Sequence, residues 1–519
     1  MHWILWTLLV IGALLVLLAV YDLLQPKHAI LRSFPIIGHL RYLLEAIGPE
    51  LRQYIVTSND EERPFSRDQR RWVYASSKKE NNYFGFGTDN DLERVSSHLI
   101  LKHSAFPVSA RQPGEGDKGH LYPIPAAKVL GAHRGRAKAF RPRSVVNLSG
   151  MSFGSLSAAA VEALNRGAKI CDCLHNTGEG GVSAHHEHGG ELIWQIGTGY
   201  FGCRDEHGRF DLSRFKDTVE AQPVKAVEIK LSQGAKPGMG GLLPAAKITA
   251  EIARIRGIPM GRDCASPASH AEFDCIDGML DFVELLAQET GVPVGIKAAV
   301  GDMGFWRELA GLMATTERGV DFISVDGGEG GTGAAPLVFA DHVALPFKIA
   351  LSRVYRELVE QDLHEKVTII GAGKLGFPDV ALLAFSLGCD LVHVAREAML
   401  SVGCIQAQRC HSGHCPTGVA TQSRWLMRGL VPTEKAGRLA NYVVTLRKEI
   451  LQVSRACGVV HPALLTPDRL ECLDDRFGSR SVVEVFGYEE GWGLPARKDR
   501  EEIRRIMGDE AVEGGGKIV

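Results

Sequence analysis

The feature that most constrains the fold is an alternation of short apolar segments with helix-length segments that begins near Pro142. Parallel strands joined by right-handed helical crossovers give this alternation, and eight such units predict a closed (β/α)8 barrel, the TIM-barrel fold, here with helical extensions. The eight predicted strands are Ser144–Leu148, Ile170–Leu174, Leu192–Ile196, Lys225–Leu231, Pro293–Ala298, Asp321–Val325, Val367–Ile370 and Asp390–Val394.

The residues with unusual chemistry follow the predicted strands and not the helices. A barrel gathers all its strand ends on one face, and that face carries the chemistry. We therefore expect the functional site there. The residues and motifs at the strand ends are, in chain order, Gly150–Gly154, Asn176–Gly181, Gln195, Gln233–Gly238, Lys297, Asp326–Gly328, Gly371–Gly373 and Arg396.

The composition is that of a large globular protein. The 519 residues, of which 45% are hydrophobic and 23% charged, suffice for two or three folding units. A net charge of −2 gives no sign of a nucleic-acid-binding surface. Eleven cysteines, an odd number, argue against a full disulfide framework.

An apolar segment from Trp3 to Tyr21 predicts a membrane anchor. At ~1.5 Å per residue it would extend about 28 Å, close to the ~30 Å hydrocarbon core of a bilayer. A cleaved signal peptide is the alternative, but the basic n-region and the small-residue cleavage site before Lys27 are missing. Because Lys27, Arg32 and Arg41 follow the segment, the positive-inside rule predicts a single-pass membrane protein with a cytoplasmic catalytic domain.

These observations predict four regions. Residues 1–24 form the transmembrane anchor. Residues 25–94 form a connector or cap, for which a solvated linker is an equally good interpretation. Residues 95–447 form the barrel, and residues 448–519 form a C-terminal helical extension.

Cys404, Cys410 and Cys415 lie close together in the segment after the eighth predicted strand. Thiolates bunched this tightly in a reducing compartment usually hold a soft metal or an iron–sulfur cluster. Buried inert thiols and a zinc site with His411 and His414 are the alternatives, although C-x5-C-x4-C is not a usual zinc spacing. Three thiols suit a three-iron cluster better, so we expect electron transfer.

The segment Gly371–Gly376 matches the dinucleotide fingerprint G-x-G-x-x-G, with Asp390 about twenty residues further on. Alone it would predict an NAD-binding Rossmann fold. It falls late in the strand–helix series, however, and the cysteine segment follows it. In a barrel the loops after strands seven and eight form a phosphate site, so Gly371, Gly373 and Arg396 are predicted to bind one phosphate.

Several charged residues near the strand ends are candidates for ligand binding. Lys297 would place a cation in the barrel mouth, as a flavin requires near its pyrimidine edge, or would pair with a core carboxylate. Glu179 either faces a substrate or is a solvated loop charge. Lys236 and Arg256 could clamp a dicarboxylate, since arginine offers a bidentate fork.

Taken together, these motifs resemble the FMN-binding domain of glutamate synthases over roughly residues 144–422. The whole chain, apolar segment included, is similar to the stand-alone FMN-binding glutamate synthase family proteins. The resemblance implies a (β/α)8 barrel with FMN at the strand C-termini and a [3Fe-4S] cluster beside it. The motifs that carry it are Met151–Ser157, Asn176–Gly181, Gln195, Lys230–Gly238, Asp326–Gly328, Gly331–Gly333 and Cys404–Gln422.

The resemblance also implies a role for each candidate residue. Glu179, Lys236 and Arg256 match positions that contact 2-oxoglutarate or its imine. The implied reaction is hydride transfer from reduced FMN to 2-iminoglutarate, formed from 2-oxoglutarate and ammonia, giving glutamate. The implied cluster ligands are Cys404, Cys410 and Cys415, and the implied flavin-binding residues are Met151, Ser152, Gln195, Lys297, Asp326, Gly328, Gly371, Gly373 and Arg396.

Three departures from the family pattern bear on function. His2 and the apolar segment stand where the family has a glutaminase domain with an N-terminal nucleophilic cysteine, so we expect no release of ammonia from glutamine. Leu242 replaces a glutamine that helps bind the oxoacid, and Met239 replaces a nearby acid, which leaves the substrate open. Arg396-Glu397 stands in place of a small, glycine-containing phosphate loop after the eighth strand, so phosphate binding there should rely on the side chain more than on the backbone.

The electron donor is not evident from the sequence, because no separate NAD(P)H-binding domain is visible in it. Ferredoxin, a partner subunit and a membrane donor are the candidates. Three other functions stay open: an FMN enzyme acting on another amino or hydroxy acid, a non-catalytic membrane redox or scaffold protein, and an NAD-dependent dehydrogenase.

Overall fold

The computed structural model describes residues 2–25, 29–52, 55, 61–92, 96–109 and 119–508. Within the predicted connector, residues 26–28, 53–54, 56–60 and 93–94 lie outside the described residues, as do residues 509–519 of the predicted C-terminal extension. The chain divides into two compact units, Met1–Arg71 and Trp72–Val519.

The strands all belong to the second unit. They are β1 Leu99–Leu101, β2 Val146–Leu148, β3 His175–Asn176, β4 Leu192–Ile196, β5 Val224–Lys230, β6 Leu242–Leu243, β7 Cys264–Ala265, β8 Val294–Ala299, β9 Phe322–Asp326, β10 Thr368–Ala372, β11 Leu391–Val394, β12 Leu470–Leu473 and β13 Ser479–Ser481.

Eight of these strands close into a parallel barrel in the order β10-β11-β2-β3-β4-β5-β8-β9. The predicted (β/α)8 fold is confirmed. Outside the barrel, β12 pairs antiparallel with both β1 and β13, and β6 pairs antiparallel with β7. The β6–β7 hairpin follows β5, and it therefore belongs to the face where the strands end.

The second predicted strand, Ile170–Leu174, is wrong. Ile170 is the last residue of a helix over Ala158–Ile170, and the strand starts only at His175. The segment has the composition of a short strand because four of its five residues are apolar, and Cys171, Cys173 and Leu174 are indeed buried. Their burial comes from a tight connection between helix and strand, in which Cys171 N donates to Gly167 O at 3.1 Å.

The α-helices surround the barrel or belong to the first unit. They are α1 His2–Leu24, α2 Ala29–Ser33, α3 Gly38–Leu51, α4 Arg67–Lys78, α5 Ala158–Ile170, α6 Leu212–Ala221, α7 Ala250–Arg256, α8 Ile276–Thr290, α9 Gly304–Thr315, α10 Leu337–His342, α11 Phe347–Val359, α12 Pro378–Ser386, α13 Arg396–Ser401, α14 Arg424–Met427, α15 Pro432–Ala456, α16 Val482–Phe486 and α17 Arg497–Met507.

Helix α15 is the long outer support of the barrel. It packs against α5 and α12, and its buried face includes Leu439, Tyr442 and Leu446. Arg447 on the same helix is 1% exposed and donates to Cys171 O at 2.9 Å and to Leu121 O at 2.7 Å. A buried guanidinium requires such partners, so these bonds fix α15 against the end of α5.

In the first unit, α1 is the one described helix that is long and apolar enough to cross a membrane, judged by length and composition. Most of its side chains are exposed, whereas Asp22 near its end is buried. Asp22 accepts hydrogen bonds from Ile36 N at 2.9 Å and from His39 Nε2 at 2.9 Å. These bonds connect the end of α1 to the α2–α3 segment.

Candidate active site

A buried carboxylate, Glu228 on β5, accepts hydrogen bonds from side chains of three other barrel strands. Gln195 Nε2 donates to it at 2.7 Å, Asn176 Nδ2 at 2.6 Å and Ser324 Oγ at 2.6 Å. Gln195, predicted to bind a flavin, is therefore held by Glu228, a residue that the sequence did not indicate. Glu228 alternates with apolar residues inside a strand, and nothing in its spacing distinguishes it from an ordinary strand residue.

Lys297 is buried near the end of β8, as predicted. It also pairs with a buried carboxylate, Asp326, which was the alternative interpretation of this residue. Its Nζ lies 3.4 Å from Asp326 Oδ1 and 3.5 Å from Ser149 Oγ. Burial opposes the charged form, but Asp326 and Glu228 together raise the pKa of Lys297 above its ordinary value. Lys297 therefore stays an ammonium group. Asp326 in turn accepts from Gly234 N at 2.7 Å.

A second charged group forms around Glu179, in the loop after β3. Lys230 Nζ donates to Glu179 Oε1 at 2.8 Å. Burial opposes ionisation, but Lys230, Lys236 and Arg256 hold the pKa of Glu179 below its ordinary value. Burial lowers the pKa of Lys236, which donates to Gly240 O at 3.0 Å. The structure thus brings together the three predicted substrate residues and adds Lys230 to them.

Arg256 reaches this group from the last turn of α7. Its NH2 donates to Phe153 O at 3.1 Å and to Ser152 Oγ at 3.5 Å, and its guanidinium lies 5.0 Å from the centre of the Phe201 ring. Burial lowers the pKa of Arg256, and its Nε has no hydrogen-bond partner among the described residues. An unsatisfied buried donor of this kind suits an anionic ligand.

The glycines after β3 allow these side chains to approach the backbone. A Cβ on Gly180 would lie 2.9 Å from Ser152 Cβ and 3.0 Å from Arg256 NH2. A Cβ on Gly178, whose φ is +66°, would lie 2.5 Å from Ser152 N. Both Met151 and Ser152 are buried beside this loop. The Gly-rich run therefore serves close packing around the site.

The predicted phosphate site contains an acidic side chain that the sequence did not predict. Gly373 has a φ of +152°, and a Cβ there would lie 3.4 Å from Glu329 Oε2. The Glu329 carboxylate accepts from Phe347 N at 2.8 Å, while Arg396 donates to Glu329 O. Gly371 is explained by packing, since its Cβ would lie 2.7 Å from Phe347 Cζ.

Gly328 is at the same rim, and its N–H is already bonded to Leu345 O at 2.9 Å. Leu242 and Met239, which differ from the resembled family near the oxoacid site, are 46% and 39% exposed. Leu242 pairs with Ala265 in the β6–β7 hairpin. Neither side chain is packed into the core, so both remain accessible to a ligand.

The cysteine segment does not form a metal-binding group in this arrangement. In the described ranges, no three His, Cys, Asp or Glu side chains are grouped so that they could hold a metal ion. Cys410 and Cys415 share a neighbour, Lys247, whose Nζ donates to Cys410 O at 2.7 Å. The Cys404 thiol accepts from Gln406 N at 3.4 Å.

The barrel mouth does suit a flavin. A Cβ on Gly150 would lie 2.8 Å from Gln195 Nε2, and a Cβ on Gly234 would lie 1.8 Å from Gly327 O. Only glycine therefore fits at these two positions, where the backbone lies close to the residues of the site. Lys297 supplies a permanent cation. Gln195 Oε1 has no hydrogen-bond partner in the described part of the chain, and so it is available to a ligand.

Comparison with known proteins gives the family. The profile of the conserved region in glutamate synthase matches residues 126–460. The glutamate synthase large subunit-like protein YerD of Bacillus subtilis is 38% identical over 468 residues, which cover 84% of this chain and 88% of that protein. The archaeal glutamate synthase [NADPH] of Methanocaldococcus jannaschii is 36% identical over 60% of this chain, which spans only 59% of that protein's length.

Among solved structures, a mutant flavocytochrome b2 with pyruvate bound aligns over 92% of this chain and 98% of its own. The identity is 15% and the TM-score 0.44, too low to support an inference about function. The residues matched by the family profile include all eight barrel strands and the Glu179 and Lys297 groups. On this evidence the chain belongs to the glutamate synthase family of oxidoreductases.

Proposed function

We propose that this protein is an FMN-dependent oxidoreductase of the glutamate synthase type that reduces 2-iminoglutarate to glutamate. The observation that carries the proposal is the adjacency of two groups at the strand ends. One is the cationic group of Lys230, Lys236 and Arg256 around Glu179, and the other is the Lys297–Gln195 group. The first suits a dicarboxylate and the second suits a flavin.

The substrate residues would act by binding and charge. Arg256 is preorganised by Phe153 O and the Phe201 ring, and it would take one carboxylate of the substrate. Lys236 would take the other. Because the pKa of Glu179 is low, its carboxylate would favour the protonated, cationic imine, which is the form that accepts a hydride most readily.

The flavin, when bound, would supply the hydride to the imine carbon. The residues of this chain would prepare that transfer. Lys297 would place positive charge beside the flavin pyrimidine ring, and Gln195 Oε1 would accept a hydrogen bond from it. Gly373 and Arg396 would hold the phosphate, with Met151, Ser152, Asp326, Gly328 and Gly371 lining the flavin pocket.

Cofactor extraction followed by a turnover assay tests the proposal. The purified full chain should release one FMN, and it should form glutamate from 2-oxoglutarate and ammonium when supplied with a chemical reductant. A chain that binds no FMN, or that binds FMN and never forms glutamate, would contradict it.

We propose that electrons come from a ferredoxin, a partner subunit or a membrane donor. The fingerprint-like segment that begins at Gly371 belongs to the end of barrel strand β10 and not to a separate dinucleotide-binding fold. Mixing the chain with candidate donors and following flavin bleaching separates the possibilities. Bleaching by NADPH alone at catalytic rates would remove the need for a partner.

The [3Fe-4S] cluster on Cys404, Cys410 and Cys415 is a proposal that rests on the family resemblance. The buried Lys247 beside Cys410 and Cys415 is compatible with a negatively charged group there. Iron and sulfide analysis tests it. Cys410→Ser should lose iron and keep FMN, while Cys472→Ser, on the outer sheet, should keep both.

We further propose that residues 1–24 anchor the protein in a membrane with the barrel on the cytoplasmic side. The four regions predicted from the sequence, residues 1–24, 25–94, 95–447 and 448–519, would then be anchor, connector, catalytic barrel and helical extension. The apolar composition and exposure of α1 support an anchor. Alkaline extraction of membranes should leave the full chain in the pellet, and recovery of it in the supernatant would argue against the anchor.

One observation favours a second candidate function. Leu242 is exposed where the family has a substrate-binding glutamine, so an acid with an apolar side chain could replace the oxoacid. The enzyme would then act on another amino or hydroxy acid. A substrate screen with reduced and oxidised enzyme would decide, and Leu242→Gln should shift the preference towards 2-oxoglutarate.

A further inference from the structure

We propose that Glu228 is a positioning residue that fixes the side-chain amide of Gln195, so that Gln195 Oε1 faces the bound ligand as a hydrogen-bond acceptor. The inference rests on the proposed function, because the ligand is taken to be the flavin, whose N3–H is a donor at the edge of its ring. No sequence motif indicated this role.

The hydrogen bonds determine which way the amide points. A carboxylate can only accept, so every group that touches Glu228 must turn a donor towards it. Gln195 Nε2 and Asn176 Nδ2 both donate to Glu228 Oε2, and Ser324 Oγ donates to Glu228 Oε1. With its nitrogen engaged, the Gln195 amide leaves its oxygen for the ligand.

The charge of Glu228 makes this orientation firm. Burial opposes ionisation, but Lys297, His393 and the bonds from Ser324 and Gln195 hold the pKa of Glu228 below its ordinary value. Hydrogen bonds to an ionised acceptor are roughly twice as strong as those between neutral groups. A neutral amide at this position could donate or accept, and it would therefore specify neither orientation.

Packing removes the other freedom of the amide. A Cβ on Gly150 would lie 2.8 Å from Gln195 Nε2 and 2.9 Å from Asn176 Oδ1. The backbone of Gly150 thus packs against both amides and restricts their movement. The remaining freedom is rotation about the last side-chain torsion of Gln195, which exchanges the positions of Nε2 and Oε1. Glu228 selects the orientation in which Nε2 faces the carboxylate.

The substitution Glu228→Gln tests the inference in the full chain loaded with FMN. Two readouts are used: the FMN dissociation constant from fluorescence quenching, and the resonance Raman band of N3–H bending, identified by its shift in ²H2O. We expect the dissociation constant to rise about tenfold, equivalent to about 1.4 kcal/mol, and the band to move towards its position in free FMN. Ser324→Ala is the control, since it removes a different donor from the same carboxylate and should change affinity less than threefold.

A double variant provides a rescue. Q195E alone places two carboxylates face to face and should bind FMN most weakly. Q195E/E228Q exchanges carboxylate and amide, so the acceptor again faces the ligand, and both readouts should return to near wild type.

The outcomes separate the two proposals. A wild-type chain that binds no FMN overturns the proposed function and this inference together. Wild-type binding with an E228Q variant identical in both readouts overturns this inference alone. If E228Q does not fold, a folded double variant that binds no better than Q195E overturns it as well.

Discussion

At the scale of single residues, buried charge is the property that sets this site apart. Glu228, Lys297 and Arg256 are each less than a tenth exposed, and each is surrounded by polar partners. A buried charge costs several kcal/mol unless such partners compensate it. The polar partners therefore hold these three charges in fixed positions inside the barrel, where a ligand can interact with them.

Arg256→Lys should weaken the binding of 2-oxoglutarate about 10- to 100-fold, because an ammonium group cannot make the two parallel bonds of a guanidinium. Isothermal titration of the FMN-loaded chain measures the change. Arg204→Lys is a matched control: Arg204 contacts the same Phe201 ring, at 5.6 Å, while its NH1 donates to Gly199 O at 3.4 Å. A similar loss in both variants would contradict a specific role for Arg256.

Glu329→Gln should tighten FMN binding by about three- to tenfold, because it removes a negative charge beside Gly373, where we propose the phosphate binds. The same substitution should leave riboflavin binding unchanged, since riboflavin has no phosphate. Fluorescence titration with both ligands makes the comparison within one variant. An equal change for both would place the phosphate elsewhere.

At the scale of elements, the loops after the strands are held by close backbone contacts. The loop after β5 meets the loop after β9 where Gly234 faces Gly327, and Asp326 accepts a hydrogen bond from Gly234 N. These contacts bind two loops of the site to each other. They also account for glycine at positions that no turn type requires.

Gly234→Ala should destabilise the fold by about 2–4 kcal/mol, because its Cβ would lie 1.8 Å from Gly327 O and the loops would have to separate. Gly311→Ala is the control. Gly311 lies inside α9 with nothing within 4 Å of its Cβ position, so alanine should stabilise that helix by about 0.5–1 kcal/mol. Chemical denaturation of both variants gives the free energies, and equal values would show that the loop contact is not tight.

At the scale of the whole molecule, buried histidines make stability depend on pH, and three of them have clear pKa shifts. Burial lowers the pKa of His175 to about 3 and that of His393 and His461 to about 4, against an ordinary value of 6.5. The unfolded chain takes up protons at these residues below about pH 6.5, while the folded chain does not. The free energy of unfolding therefore falls as the pH falls from 6.5 towards 4.

His461→Gln should flatten this dependence by about 1.4 kcal/mol per pH unit below pH 6.5. Urea unfolding at several pH values measures how steeply the free energy of unfolding changes with pH. The substitution also removes the hydrogen bonds of His461 with Pro125 O and Ala463 N, but that loss of stability is the same at every pH and does not alter the slope. Above pH 7 the slopes of variant and wild type should coincide. Parallel curves over the whole range would rule out His461 as a contributor.

The sequence by itself determined the barrel and the location of its chemistry. Strand–helix alternation is a local pattern, and the C-terminal ends of parallel strands must share a face, so the sequence alone predicts that Lys297, Gln195 and Glu179 belong to one site. The error at Ile170–Leu174 was also local, because a buried helix end and a short strand have the same apolar pattern.

The tertiary structure alone decided which charges meet. Lys230 and Glu179 are far apart in the chain, and only barrel closure brings them to 2.8 Å. The same holds for Glu228 beneath Gln195 and for Glu329 beside Gly373. Side chains that interact across different strands leave no periodicity in the sequence, because their spacing is set by loop and helix lengths and not by the strand repeat.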